Sequence, residues 1–317
     1  MDVILAGKTG YEFWQRNTDL LSRKPTPIHT NRSASLHKRE ALLLASDEGL
    51  SLPIVHLVGA KEQRASNGQQ RTVMRDCGKL PCIVPIHEGL SVATPELCFL
   101  QLANELSLPQ LIFFGYRFCS TYCHNEFSPT GLTSRIQLMT PESARAFLAK
   151  VPTTQGTAKA KKALPFIAAK ADSPKEIESS MRLTLPYSLG GYKLPLPELN
   201  KEISLTTNPR SALKRTTLRP DLFWKDAKLL AEYQSDLTHL SPEQFHYDLK
   251  RMNAFIGMGY RQISICSDHL ARIESMDLLA ADIAKLLGKR IRPSIDDFHK
   301  RQVALVRCIH ELIETRL

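Results

Sequence analysis

The chain has 317 residues, of which 43% are hydrophobic, so it is long enough for two ordinary domains with buried cores. It contains no run of 18 apolar residues, which argues against a transmembrane helix and a membrane partner. Its first residues lack a basic segment followed by a long apolar run, so we expect no signal peptide and a cytoplasmic protein.

The net charge of +10 is concentrated in the middle of the chain. Residues 141–220 contain 14 Lys and Arg against 6 Asp and Glu, whereas residues 221–317 contain 14 of each kind. A local basic excess is typical of a surface that binds nucleic acid, although a solvated linker has the same composition. The seven cysteines are scattered, which favours reduced thiols over a disulfide framework.

Short strands and helices are expected in the first 150 residues. A turn-rich stretch at 25–37 follows a first apolar segment. Thr94 and Pro95 have the N-cap and first-turn character of a helix start, and a second helix is expected from Pro109 to Phe118. The other elements expected here are a helix at 38–47 and strands at 52–59 and 80–86.

A basic linker is expected at residues 151–172. Residues 150–163 combine Pro, Gly and Thr with four lysines, a composition typical of a connection between domains. Lys159, Lys161 and Lys162 are candidates for contact with nucleic-acid phosphates, and the alternative is that they are only solvated.

From residue 173 onward the pattern predicts an α/β sandwich around a mixed sheet. Ser173, Pro174 and Glu176 are typical of a helix start, and that helix should end near Leu185. The later expected elements are strands at 201–206, 217–224, 228–234 and 261–266 and helices at 241–257, 268–287 and 294–315.

Three carboxylates stand in an order that indicates metal chemistry. Glu176 lies on the first of these helices, whereas Asp221 and Glu232 lie on two successive apolar strands. A carboxylate inside an apolar strand is costly unless it is paired or binds a metal. Mg²⁺ prefers one or two carboxylates together with water and substrate phosphate, so Mg²⁺ is the expected cofactor.

These residues resemble the motifs of the PD-(D/E)XK nuclease superfamily, and more closely those of relatives of the very-short-patch-repair endonucleases. The similarity covers about 95 residues and ends in the expected last strand. The residues that carry it are Glu176, Pro220-Asp221, Glu232-Tyr233-Gln234, His239, and Asp248, Arg251, Asn253 and Gly257 of one helix.

The resemblance implies a restriction-endonuclease-like αβββαβ domain that acts on DNA. It implies that Asp221 and Glu232 bind the metal, and that Arg219 and Arg251 contact nucleic acid. The residues that it implies for catalysis are Glu176, Asp221, Glu232, Gln234 and His239.

The third motif position departs from the pattern, because Gln234 stands where relatives have Lys or Asp. Glutamine can hold a water but supplies no charge, so water activation should be weaker. Two functions therefore stay open. One is a Mg²⁺-dependent DNA endonuclease or nickase, and the other is a catalytically weakened nuclease fold that binds DNA or protein as a regulator.

Each of these residues also has a purely structural interpretation. Glu176 is what a capping box needs, Asp221 could pair with Arg219, and His239 could be an ordinary loop histidine. Asp248 and Arg251 could pair with each other on one helix face. The cysteine spacings around Cys119, Cys123 and His124 are not the tight ones of common zinc sites, so zinc is a minor alternative.

The N-terminal half resembles AbiEi-type antitoxins and regulators of type IV toxin–antitoxin systems. Residues 94–103 and 115–122 carry this similarity, which implies a possible toxin partner and an α+β domain. The expected division is an antitoxin-like domain at 1–150, the linker at 151–172, a nuclease-like domain at 173–290 and a C-terminal helix at 291–317.

Overall fold

The computed structural model describes residues 3–27, 38–52, 54–58, 71–73, 80–206, 213–234 and 242–315. The chain divides into two compact units between Ile167 and Ala168. Both units mix helices with small sheets, which confirms the α/β class. In the part of the chain that is described, no helix is long and apolar enough to cross a membrane.

The first unit is built on a six-stranded mixed sheet with the order β2-β5-β6-β1-β3-β4. Its strands in that sheet are β1 (Val3–Leu5), β2 (Thr26–Pro27), β3 (His56–Val58), β4 (Arg71–Val73), β5 (Pro81–His87) and β6 (Leu90–Ala93). A separate hairpin contains β7 (Tyr122–His124) and β8 (Leu132–Ser134). Its helices are α1 (Gly7–Arg16), α2 (Lys38–Glu48), α3 (Pro95–Glu105), α4 (Leu108–Phe118), α5 (Pro141–Lys150) and α6 (Thr157–Ala163).

The two helices expected near the middle of this unit are confirmed. Thr94 is the N-cap of α3, and Pro95 is its first residue. Helix α4 begins one residue before Pro109, and Ser107 and Gln110 form a capping box there. The strand expected at 52–59 is shorter than predicted, since only His56–Val58 pairs with its neighbours in the described residues.

The segment expected to be a linker is largely folded into the first unit. Helix α6 packs against α3, α4 and α5, and Thr157, Ala160 and Ala163 are its buried face. Gly156 before it has a φ of 90°, and a Cβ there would collide with Asn104. The spacing of small residues every three positions is a helical face, which explains why the Lys-rich composition was misleading.

The second unit is built on a four-stranded mixed sheet with the order β14-β13-β12-β9. Its strands in this sheet are β9 (Glu198–Leu199), β12 (Leu222–Trp224), β13 (Leu229–Gln234) and β14 (Arg261–Cys266). Strands β12 and β13 are antiparallel, whereas β13 and β14 are parallel. A separate pair contains β10 (Ile203–Ser204) and β11 (Thr217–Leu218).

The strand expected at 217–224 is thus two strands. Pro220 lies between β11 and β12 and has no N–H to donate to a sheet, so pairing stops there. The strand expected at 201–206 shrinks to the two-residue β10, which lies outside the four-stranded sheet, and β9, also of two residues, forms the sheet edge.

Helices cover the rest of the second unit. They are α7 (Pro174–Thr184), α8 (Pro242–Gly257), α9 (Ser267–Ala271), α10 (Ile273–Leu286) and α11 (Phe298–Glu314). The first of them confirms the expected start, because Ser173 is the N-cap and Pro174 the first residue.

The C-terminal helix is an integral part of this unit rather than a separate segment. Gln302 of α11 is buried and donates hydrogen bonds to Tyr192 Oη and Asp277 Oδ1, both at 2.9 Å. His310 of the same helix contacts Glu178 Oε1 at 3.1 Å. None of the six cysteines within the described ranges forms a disulfide, and Cys77 lies outside those ranges.

Candidate carboxylate site

Asp221 and Glu232 lie opposite each other at one end of the antiparallel pair β12–β13. The register pairs Leu222 with Ala231, and continuing it by one position sets Asp221, the residue before β12, against Glu232. Directly opposed residues of an antiparallel pair project from the same face of the sheet. A hydrogen bond from Tyr233 N to Asp221 Oδ2, 2.7 Å long, fixes the aspartate in this position.

Glu176 joins them from the first turn of α7. Its backbone N–H donates to Ser173 Oγ at 3.2 Å, and its carboxylate accepts from Ser173 Oγ and from Asp172 N, both at 2.9 Å. The capping role considered from the sequence is therefore real, and it coexists with a position beside Asp221. Asn200 connects the two, because its side chain donates to Glu176 Oε2 and its N–H donates to Asp221 O.

Glu176 and Glu232 are buried, Asp221 is half-buried, and the three carboxyl groups repel one another. Burial, and then the charge of Asp221, raise the pKa of Glu176 to about 8. The same two causes in the same order raise the pKa of Glu232 to about 8. Burial also raises the pKa of Asp221. In the absence of a cation, the cluster therefore holds protons that ordinary carboxyl groups would have lost at neutral pH.

Two arginines border the cluster. Arg251 of α8 forms an ion pair with Glu232 at 2.9 Å and also donates to Arg219 O. Arg219 forms an ion pair with Asp172 at 2.8 Å and donates to Asn200 O. Arg251 lowers the pKa of Glu232, which partly offsets burial. Both guanidinium groups remain partly exposed, so they can still meet an anion from solution.

Gln234 ends β13 on the same strand face as Glu232, two residues further along. In the parallel pair its partner on β14 is Cys266, whose Sγ lies 3.2 Å from His269 Nδ1. The Cys266 N–H also donates to His269 Nδ1 at 3.0 Å, which fixes the ring beside the strand end. His239, the remaining predicted catalytic residue, lies outside the described residues.

The carboxylate cluster offers hard oxygen donors to a metal ion. Within the described residues, no group of three or more His, Cys, Asp and Glu side chains is arranged as a set of metal ligands, and this includes the cysteines near His124. Mg²⁺ needs only one or two carboxylates, since water and phosphate complete its coordination. The pair of Asp221 and Glu232 fits that smaller requirement, because a cation would relieve the repulsion that raises the pKa of Glu232.

The three predicted lysine contacts belong to the first unit. Lys159 is half-buried, and its Nζ donates to Leu106 O at 2.7 Å, where α3 ends. This lysine therefore stabilises a helix C-terminus. Lys161 and Lys162 are exposed.

Sequence reasoning missed Asn200 and Asp172, which hold the cluster together. Asn200 is 6% exposed and has a φ of 49°, a left-handed conformation that asparagine tolerates better than most residues. An asparagine directly after the Pro-rich segment is a turn signal, so its conformation could have been anticipated. Its contact with Glu176 could not, because the two residues are 24 positions apart.

Comparisons with protein-family models, with curated proteins and with solved structures found no match to this chain.

Proposed function

We propose that the second unit is a restriction-endonuclease-like αβββαβ domain that acts on DNA with the help of Mg²⁺. The observation that carries the proposal is a group of three neighbouring carboxylates, Glu176 from helix α7 and Asp221 and Glu232 from the sheet, bordered by partly exposed arginines. Buried acids held near each other with raised pKa values are typical of functional sites rather than of structural ion pairs.

The bound cation would supply an activated water and neutralise charge on the phosphate oxygens. Asp221 and Glu232 would hold it, while Tyr233 N keeps the aspartate oriented through Oδ2. Gln234 can position a water through its side-chain amide. Arg219 and Arg251 can donate to phosphate oxygens, which suits the planar, permanently charged guanidinium group.

Nicking of supercoiled plasmid by the purified chain tests this function. We expect slow nicking with Mg²⁺ and faster nicking with Mn²⁺, which tolerates poorer ligand geometry. Asp221→Ala should abolish the nicking because it removes a metal ligand. Asp226→Ala is the matched control, since Asp226 is an exposed carboxylate in the turn of the same hairpin.

Equal nicking by wild type and Asp221→Ala would contradict the enzymatic proposal. Loss of nicking in Asp226→Ala as well would indicate a folding defect of the hairpin rather than a lost ligand. Near-ultraviolet circular dichroism of both variants separates these outcomes.

The second candidate is a catalytically weakened nuclease fold that regulates by binding DNA or a toxin, in the manner of AbiEi-type antitoxins in the cytoplasm of bacteria. The ion pair between Arg251 and Glu232 favours it, because the guanidinium already supplies a positive charge that a metal would bring. Gln234 favours it too. If chemistry has only been weakened, Gln234→Asp should raise the nicking rate above that of wild type. A nucleotidyltransferase-like toxin gene directly downstream would support the regulator.

A further inference from the structure

A second charged surface lies at the other end of strand β13 from Glu232 and Gln234. It consists of three segments: the turn 225–228 before β13, the first residue of β14, and residues 284–290 at the end of α10. We call it the sheet-end basic patch, and its cations are Lys225, Lys228, Arg261, Lys285, Lys289 and Arg290.

Arg261 joins the three segments. Its backbone N–H donates to Lys228 O at 2.9 Å, in the turn before β13. Its guanidinium donates to Ala227 O and to Leu286 O, both at 2.8 Å. The turn and the end of α10 therefore meet at this side chain, and the cations on both sides of it form one surface.

The charge of this patch is largely uncompensated. All six cations are exposed, and Asp226 is the one carboxylate in the three segments. None of the ion pairs found between described residues includes a cation of the patch. Residues 221–317 as a whole carry equal numbers of acidic and basic residues, and all of their acids except Asp226 lie outside the three segments of the patch.

One lysine of the patch, Lys228, has a backbone conformation that favours glycine. Lys228 has a φ of 47°, and it closes the turn by donating from its N–H to Lys225 O. A side chain in this left-handed region is strained, and such strain concentrates at functional positions. Glycine or asparagine would suit the turn better, so a lysine here is consistent with a use for its charge.

We propose that the sheet-end basic patch binds the phosphate backbone of nucleic acid, independently of base sequence. The choice of nucleic acid as the polyanion rests on the proposed function of the carboxylate site. A strand rises about 3.3 Å per residue, so Lys228 lies roughly 13 Å from Glu232 along β13. Phosphates in one duplex strand are spaced about 3.4 Å along the axis, so roughly four nucleotides cover that distance. A bound strand of about four nucleotides is therefore long enough to span the distance between the patch and the carboxylates.

Fluorescence anisotropy with a labelled DNA duplex in EDTA tests the patch without any metal. The double variant Lys289→Gln/Arg290→Gln should weaken binding and make the log–log salt dependence shallower by about 0.9 for each lost phosphate contact. The matched control is Lys201→Gln/Arg272→Gln, which removes the same charge at exposed positions outside the patch. The control should leave the salt dependence at its wild-type slope.

Lys228→Gly provides the second variant, since it removes a charge and relieves backbone strain together. We expect weaker DNA binding with an unchanged or higher melting temperature, an outcome that loss of folding cannot produce. Equal affinities and slopes for wild type and both patch variants, or no binding by wild type, would overturn the proposal. Tighter binding of polyglutamate than of the duplex, lost in the patch variants, would also overturn it and indicate an acidic protein partner.

The proposals for the patch and for the carboxylate site can be overturned independently of each other. If wild type binds through the patch but never nicks DNA, the enzymatic proposal fails and the patch stands. If nicking depends on Asp221 while the patch variants bind normally, the reverse holds.

Discussion

Each of the two units buries side chains of like charge close together, but the surroundings of these side chains differ between the units. In the first unit, Arg117 is 1% exposed and donates to Tyr11 Oη at 3.0 Å and to His124 Nε2 at 2.9 Å. Arg135 beside it donates to Ser120 Oγ, Ile136 O and Arg117 O. In the second unit, the buried carboxylates of Glu176 and Glu232 have charged or titratable neighbours of the same sign.

The difference shows which buried charges are structural. A guanidinium cannot lose its proton in a protein, so the first unit has to surround Arg117 and Arg135 with acceptors, among them carbonyls at the end of α4. A carboxyl group can take up a proton instead, and the pKa values of Glu176 and Glu232 are raised even though Glu232 pairs with Arg251 and Glu176 accepts hydrogen bonds. The arginines are therefore committed to the fold, whereas the carboxylates are poised to exchange protons for a cation.

The largest effect on stability is expected from replacing a buried arginine of the first unit. Arg117→Met keeps roughly the volume of the side chain but removes its buried hydrogen bonds with Tyr11 Oη and His124 Nε2. We expect a loss of about 2–4 kcal/mol in the free energy of unfolding. Chemical denaturation measures it, with Arg145→Met as the control because Arg145 is exposed on α5. Equal stabilities of the two variants would mean that Arg117 is as dispensable as a surface residue.

The buried glutamates should make the free energy of unfolding fall as the pH rises, whereas carboxylates with lowered pKa values make it rise. Glu176 and Glu232 have a pKa of about 8 when folded, well above their ordinary value of 4.5. Between these values the folded chain binds more protons than the unfolded chain, so stability falls as pH rises from about 4.5 to 8. Asp221 opposes ionisation and Arg251 favours it, so we expect a total loss of roughly 1–3 kcal/mol. Unfolding curves across this range measure the slope.

Substitution of the two glutamates isolates their share of that slope. Glu176→Gln/Glu232→Gln should flatten the pH dependence relative to wild type, since glutamine does not titrate. Glu198→Gln/Glu202→Gln changes two exposed glutamates of the same unit and should keep the wild-type slope. A slope that survives in the first variant would assign the dependence to groups other than these two glutamates.

The smallest expected effect concerns Asp221 alone. Asp221→Asn removes one charge from the cluster, yet its amide oxygen can still accept from Tyr233 N. We expect a stabilisation of about 1 kcal/mol at pH 8 in EDTA, because the repulsion with both glutamates disappears. Urea midpoints measure it, and Asp226→Asn should change the midpoint little. Destabilisation by Asp221→Asn would show that the aspartate is a structural anchor, like the arginines of the first unit.

Local patterns predicted the starts of helices well. The N-caps of α3 and α7 follow from Thr94-Pro95 and Ser173-Pro174, because capping depends on residues within one turn. Strand lengths were predicted poorly, since a strand exists only where a neighbour pairs with it, as Pro220 illustrates. Composition was misleading at 157–163, where lysines flank a buried face of small residues.

The order of Glu176, Asp221 and Glu232 along the chain, with two of them in apolar segments, was enough to single them out, because a charge among apolar neighbours needs a reason wherever it folds. Only the tertiary structure decided that Asp221 lies beside Glu232, that Asn200 links Glu176 to Asp221, and that Arg251 pairs with Glu232. These contacts join residues up to dozens of positions apart through strand register and helix packing. Register and packing are properties of the folded chain as a whole, so no local pattern determines them.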